Sequence, residues 1–310
     1  MRNILVYIFL IVFSVIAKAQ LSEEEIKQFS VLEDSLKNIQ TRVFYSKKES
    51  NRFEANKQFL TLWSSVLTNE KSIQYPFDSL TQVAHKFSPD NKFRIITWNI
   101  IKEDGTHAYF GFLQVNNSKT IKKGLFNKET TQQYEVFQLL DKSATVKTPE
   151  NYVSDNTKWF GMLYFDVIKT DEDYYTLLGW DGNDKLTVRK FIDVLSFKPD
   201  GSPVFGKDVF KYPGKFAKRI MFEHAAEVNM SLKYYDIKKR LIFSHLAPNS
   251  PDPTLDGQFQ FYGPDGSFDA LVAKKGRWIY EEDVDIRNEK NKNDNHKKPD
   301  PRKQKPVYKP

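Results

Sequence analysis

The 310-residue chain reads as an α+β protein. An N-terminal helical segment precedes a large antiparallel β-meander, sandwich- or barrel-like, with a degenerate propeller as the alternative, and a disordered tail closes the chain. Three observations predict this. Apolar residues recur at three- and four-residue steps up to about residue 67, the period of a helix with one buried face. From Phe93 the period becomes two, that of a strand. Asp-Gly steps, which favour tight reversals, recur at 104–105, 181–182, 200–201, 256–257 and 265–266. The resulting division is a signal peptide at 1–19, a helical segment at 20–74, a β domain at 75–285 and a basic tail at 286–310.

The leader comes first. Arg2 supplies a positive start, Ile4 to Ala17 is almost wholly apolar, and Ala17-Lys18-Ala19 fits a small-x-small cleavage site. The apolar core is shorter than the roughly 20 residues that span a bilayer. Export with cleavage after Ala19 is therefore expected, and no transmembrane helix after it. The chain contains no cysteine, which excludes lipid attachment through a cysteine, disulfides, thiolate nucleophiles and Cys-zinc sites. A periplasmic, cell-surface or secreted location in a Gram-negative cell fits this combination.

The helical segment opens at Ser22, followed by Glu23, Glu24 and Glu25: a capping side chain, then acids in the first turn. Ile26, Phe29, Leu32, Leu36 and Ile39 form the expected apolar stripe. A second helix is predicted from about Ser50 to Leu67, carrying Phe53, Phe59, Leu60, Trp63 and Val66. Next, "FRIITWNII" (93–101) and "HAYFGFLQV" (107–115) flank Asp104-Gly105 as a hairpin. Further strands are predicted at 158–168, 173–180, 186–197, 218–234, 239–246, 258–262, 267–273 and 276–281. No helical pattern interleaves them, which argues against a parallel α/β fold. "SPDNKF" (88–93), "KPDGSP" (198–203) and "GPDGSF" (263–268) share turn chemistry, but their spacing lacks a propeller's period of about 40–50.

The net charge of +7 is uneven. Residues 287–310 hold nine Lys/Arg against three Asp/Glu; without them and the leader the body is near neutral, 36 basic against 37 acidic. The tail has too little apolar surface to offset its chain entropy. It is expected to be a disordered, solvated tail, with electrostatic contact to acidic surfaces, weakened by salt, as the alternative role. Nucleic acid is not an expected partner for an exported protein.

No motif for chemistry stands out. The nucleophile elbow, phosphate-binding loop, dinucleotide fingerprint and His-Glu-x-x-His are all missing from the sequence. "DGNDKLTVRKFI" (181–192) fails as a calcium loop, with Lys185, Leu186 and Ile192 where an oxygen ligand, glycine and glutamate belong. It reads instead as a hairpin turn with solvated acids. No metal site and no cofactor are expected. His224 and His245 both face the predicted core, but register counting keeps them far apart. Carboxylates near aromatics (Asp166, Asp173, Asp181, Glu223 and Glu227) are the material for a glycosidase-like pair. The candidate ligand-binding residues are Trp180, Asp181, Asn183, Tyr174, His224 and His245, and no catalytic set emerges.

Five stretches carry a resemblance: "YPFDSLTQVAHKFSPDNKFRIITWNI" (75–100), "YYTLLGWDGNDKLTVRKFIDVLSF" (174–197), "RIMFEHAAEVNMSLKYY" (219–235), "IFSHLAP" (242–248) and "YGPDGSFDAL" (262–271). Together they resemble a family of exported proteins of unknown function from Bacteroidetes. The resemblance implies an envelope location and carries no catalytic residue with it. The expected function is a non-enzymatic envelope protein that binds a glycan, peptide or protein partner. The alternatives are a carboxylate-based hydrolase acting on an envelope polymer or scavenged glycan, and a structural subunit of an envelope assembly.

Overall fold

A computed structural model describes residues 21–287 except 118, 124–126, 132, 213 and 214, and omits the side chains of 118–132 and 213–216. The predicted signal peptide and nearly all of the basic tail lie outside the described residues. The order is α1 (Glu23–Tyr45), α2 (Glu49–Thr68), β1 (Ala84–Phe87), β2 (Phe93–Ile101), β3 (His107–Asn116), β4 (Lys119–Lys123), β5 (Asn127–Thr131) and β6 (Tyr134–Leu140). Then come β7 (Leu163–Lys169), β8 (Tyr175–Asp181), β9 (Thr187–Phe197), β10 (Pro203–Phe205), β11 (Phe210–Tyr212) and β12 (Lys215–Ala217). The last are β13 (Ile220–Ala225), β14 (Leu232–Tyr235), β15 (Arg240–Pro248), β16 (Tyr262–Lys274) and β17 (Arg277–Glu281).

The α+β class holds, with the strands in three open sheets and a two-stranded β4-β5 ribbon. The first sheet runs β1-β2-β3-β6. The second runs β10-β9-β8-β7, with β13 also on β9. The third runs β12-β11-β17-β16-β15-β14. Pairing between these strands is antiparallel except for β11 with β17.

Three apolar cores define the layering. The helices lie on one face of the first sheet, where Phe29, Leu36, Phe59 and Trp63 meet Ile96, Trp98, Ile100 and Phe112. The other face, with Phe93, Ile95 and Leu113, meets Leu177, Phe191 and Leu195 of the second sheet. That sheet's far face, with Leu178, Ile192 and Val194, meets Leu241, Phe243, Leu271 and Trp278 of the third. The inner sheets are covered on both sides, so β2 and β8 are buried almost throughout instead of on alternate residues.

Double burial forces the polar residues of inner strands to find partners. On β2, Arg94 donates to Tyr75 O (3.3 Å) and Ser72 Oγ (3.0 Å). Trp98 Nε1 donates to Asn56 Oδ1 of α2 (2.7 Å). Thr97 Oγ1 accepts from Tyr164 N of β7 (3.1 Å). Deeper still, Asp193 accepts from Arg219 Nε (2.8 Å) and Tyr164 Oη (2.9 Å), and Arg219 Nη1 donates to Pro149 O (3.0 Å).

The first helix begins as predicted: Ser22 and Glu25 exchange side-chain-to-backbone hydrogen bonds, a capping box. Its buried stripe is rotated from the predicted one. Phe29, Glu33, Leu36, Gln40 and Val43 face inward, and Ile26 is 46% exposed. Glu33 can be buried because Tyr75 Oη (2.8 Å) and Ser79 N (2.7 Å) satisfy its carboxylate. The predicted strand at 218–234 is two strands in different sheets, β13 and β14, broken by a turn. The 258–262 segment is a short 3-10 helix running into β16. Asp265-Gly266-Ser267 is an irregularity within β16: pairing moves from Leu246↔Pro264 to Ser244↔Phe268, with His245 opposite the extra residues.

Candidate functional site

The sheets share two ends, and the sequence-predicted residues divide between them. At one end β8 passes into β9. Asn183 there adopts a left-handed conformation (φ 45°), and Asp184 Oδ1 accepts from Leu186 N (2.8 Å) and Thr187 N (2.9 Å). Asp184 is thus the turn former expected of this stretch. Asp181 is a correction: its carboxylate is buried, not solvated. Oδ1 accepts from Tyr109 Oη (2.7 Å) and Asn183 N (2.8 Å), and Oδ2 lies 3.7 Å from Arg189 Nη1. Burial pushes the Asp181 carboxyl above its ordinary value, against these donors and the nearby His107.

The same guanidinium reaches a second carboxylate, Arg189 Nε to Glu223 Oε2 at 2.7 Å. Glu223 Oε1 also accepts from Thr187 Oγ1 (2.7 Å) and Asn183 Nδ2 (3.4 Å). Behind this cluster His107 stacks on Tyr109 (6.0 Å) and meets Trp180 edge-on (5.6 Å). Asn99 Nδ2 lies 2.6 Å from His107 Nδ1, an arrangement that suits a neutral ring accepting at Nδ1. Burial accordingly holds the His107 pKa below its ordinary value. A Cβ on Gly182 would come within 2.3 Å of that imidazole, so glycine is required for the turn to lie against it.

Trp180, Asp181 and Asn183 are therefore brought together, half-buried or buried, with Glu223 as a neighbour. The other predicted residues are elsewhere. Tyr174 is buried near the opposite end, its hydroxyl donating to Gly276 O (3.1 Å). His224 is buried between the second and third sheets, with Nδ1 2.9 Å from Ala225 O, and burial lowers its pKa. His245 lies at the β15 irregularity, 39% side-chain exposed, with Nδ1 2.8 Å from Asp269 Oδ2. Asp269 also accepts from Tyr280 Oη (2.8 Å) and Asp283 N (3.0 Å). Among the described residues no group of three or more His, Asp or Glu is placed to hold a metal ion. Nor is any described helix long and apolar enough to cross a membrane.

The His245–Asp269 pair gives a signed pH prediction. Asp269 raises the His245 pKa above 6.5, chiefly through their hydrogen bond. A group whose folded pKa is raised stabilises fully below its unfolded pKa and loses that contribution as pH rises through the folded value. The difference in urea midpoint between the native protein and His245→Gln should therefore be largest below about pH 6.5 and shrink above it. A difference that grows with pH would refute the assignment.

The opposite end holds a groove of about 490 Å³, lined by Asp90, Lys92, Lys169, Glu172, Asp173, Tyr175, Ser196, Phe197 and Lys207. It is built where "SPDNKF" and "KPDGSP" come side by side, the 88–92 turn and the end of β9. Asp90 Oδ2 accepts from Lys169 Nζ (2.8 Å) and Tyr175 Oη (2.7 Å). These donors hold the Asp90 carboxyl down at about 2, despite the opposing effect of burial. Tyr175 is itself buried, and its hydroxyl is pushed well up by burial and by Asp90. Phe197 is half-buried beside it, with ring centroids 6.3 Å apart. A smaller cleft of about 310 Å³ shares Lys92 and Phe197 and adds Asn117, Glu135, Lys198 and Asp200 among its lining residues.

The chain matches no family model, no curated protein and no solved structure. Sequence reasoning noticed the two turns that frame the groove but not the groove, because its lining comes from positions 90 to 207. Repeated Pro-Asp turn chemistry was the one available signal.

Proposed function

We propose that this is an exported envelope protein that binds a ligand without transforming it, and that the groove beside Phe197 is the seat. One observation carries the reading against the hydrolase alternative. The two candidate carboxylates that the fold brings together, Asp181 and Glu223, share one guanidinium, Arg189. Glycoside hydrolysis needs two carboxyls facing each other across substrate, one protonated and one charged. Arg189, in contact with both, occupies the space between them where a substrate would have to lie. The other candidates are dispersed: Asp166 bonds its neighbour Val167 N (2.9 Å), Asp173 is on the groove's lining, and Glu227 is exposed. The groove, by contrast, combines an aromatic face with polar side chains, the composition of a binding site.

An amide-detected NMR titration tests this. Soluble oligosaccharides and peptides are the probes, and their masses are followed over time. Shifts should gather at 88–92, 169–175 and 196–207, be lost in Phe197→Ala, and leave the probe intact. Shifts centred on 181–187, or shortening of an oligosaccharide, would favour the hydrolase.

A further inference from the structure

The first sheet has an open stretch of edge. Pairing of β1 with β2 stops at Ala84↔Thr97, and β1 is the outermost strand, so residues 98–101 of β2 have no partner strand on that side. Lys102 N donates to Thr106 O (2.8 Å), which makes Ile101↔His107 a non-hydrogen-bonded pair, and Asn99↔Tyr109 is its counterpart two residues back. The backbone groups of Asn99 and Ile101 therefore point away from β3, toward the open edge. Arg52 Nη2 donates to one of them, Ile101 O (2.9 Å). Among the described residues, Asn99 N–H, Asn99 C=O and Ile101 N–H have no hydrogen-bond partner.

A cleft of about 600 Å³ lies along this edge. Val43 and Ile100 line it from the helix-side core, Leu163 from the core between the first two sheets, and Thr81 to Ala84 where the chain enters β1. Walls on both faces of an open strand edge suit one more strand, whose side chains would alternate between the two walls.

Charge narrows the occupant. The charged lining residues are Arg52 and Lys102, and no carboxylate lines the cleft. Arg52 bonds carbonyl oxygens, Ser46 O (3.1 Å), Lys47 O (3.3 Å) and Ile101 O, and its Nε is buried without a partner. The acids nearby are engaged outside the lining. Glu49 accepts from Glu103 N (2.6 Å) and Glu103 from Glu49 N (3.4 Å). Asp104, 3.8 Å from Lys102 Nζ, accepts from Thr106 N (2.8 Å) and Thr106 Oγ1 (2.7 Å). Exposed Lys47 and Lys48 add positive charge on the helix side. The chain's own basic tail has the wrong charge for this cleft, and a second copy paired edge to edge would bring a second Arg52 and Lys102 to it. We infer that this edge, independently of the groove beside Phe197, takes an acidic, extended peptide segment as an added strand. Its main chain pairs with Asn99 and Ile101, an apolar side chain packs on Val43 and Ile100, and a carboxylate meets Arg52 and Lys102.

Amide hydrogen exchange and NMR titration with the pentapeptide acetyl-Glu-Val-Thr-Val-Glu-amide test it; an acid at each end serves either strand direction. Shifts should gather at 81–84 and 99–102, away from the Phe197 groove. At about nine-tenths saturation the Asn99 and Ile101 amides should exchange about tenfold more slowly. Glutamine in place of both glutamates, a change that leaves the protein untouched, should weaken binding about tenfold, the worth of one charge-assisted hydrogen bond. Lys102→Gln should act in the same direction. Methylating alternate peptide nitrogens blocks one edge of the added strand, so one methylation register should abolish binding and the other spare it. Equal binding of both registers, without amide protection, would overturn strand addition. Equal binding of the glutamine peptide would overturn the acidic partner. Protection of Asn99 and Ile101 that rises with protein concentration in the absence of peptide would assign the edge to a second copy. No binding of the glutamate peptide would remove the proposal.

Discussion

Replacing Arg219 with alanine is expected to destabilise the protein by about 3–5 kcal/mol, the usual result of stranding a buried charge. Both partners of the Arg219–Asp193 pair are wholly buried (0% each), with a 2.8 Å contact. Asp193 would keep only the Tyr164 hydroxyl and Val194 N as donors. The guanidinium also lies over Phe160 (5.5 Å) and bonds Pro149 O, so its loss opens a packed space as well. Buried pairs are not strongly stabilising in themselves, because desolvation offsets attraction. The double variant Asp193→Asn with Arg219→Met should therefore lose markedly less than the sum of the two single changes. Urea unfolding of the four proteins measures this. Small single losses that simply add would show that water reaches the pair.

Trp98→Ala should cost about 3–5 kcal/mol, typical of deleting a large buried aromatic. Trp98 is fully buried on β2, 5.1 Å from Phe59 of α2 and about 6 Å from Phe110 and Phe112. Its indole N–H also ties the sheet to Asn56 of the helix. The cavity would lie between the helices and the first sheet. Unfolding should remain a single transition at lower denaturant, with faster amide exchange in α2. Trp98→Phe retains most of the packing and should lose about 1 kcal/mol with the hydrogen bond. If α2 melted alone and the strands kept their original midpoint, the shared core would not couple the two.

Much of the fold was legible in particular residues. Ser22 and Glu25 announce the helix start because capping is local chemistry. The β2-β3 and β8-β9 hairpins are legible because alternating runs flank turn residues. The break between β13 and β14 was not legible. Alternation continues through Ala226, Val228 and Met230, and nothing local says that the chain changes sheets there. The candidate site was legible only in part. Trp180, Asp181 and Asn183 are neighbours in sequence and stay neighbours in space. Their partners Tyr109, Arg189 and Glu223 come from three other strands.

The sequence by itself determined the two helices, the β2-β3 and β8-β9 hairpins, the absence of cysteine and the uneven placement of charge. These follow from short-range dihedral preferences, periodicity and composition, which operate within a few residues. Only the tertiary structure decided which faces are covered. A period of two separates the two sides of a strand without saying whether one or both meet another layer. Stacking both inner sheets between neighbours buried Arg94, Asp181 and Asp193 and so forced each to find a partner. It also set Lys92 beside Lys207 around one groove, a juxtaposition created by sheet stacking and not by proximity along the chain.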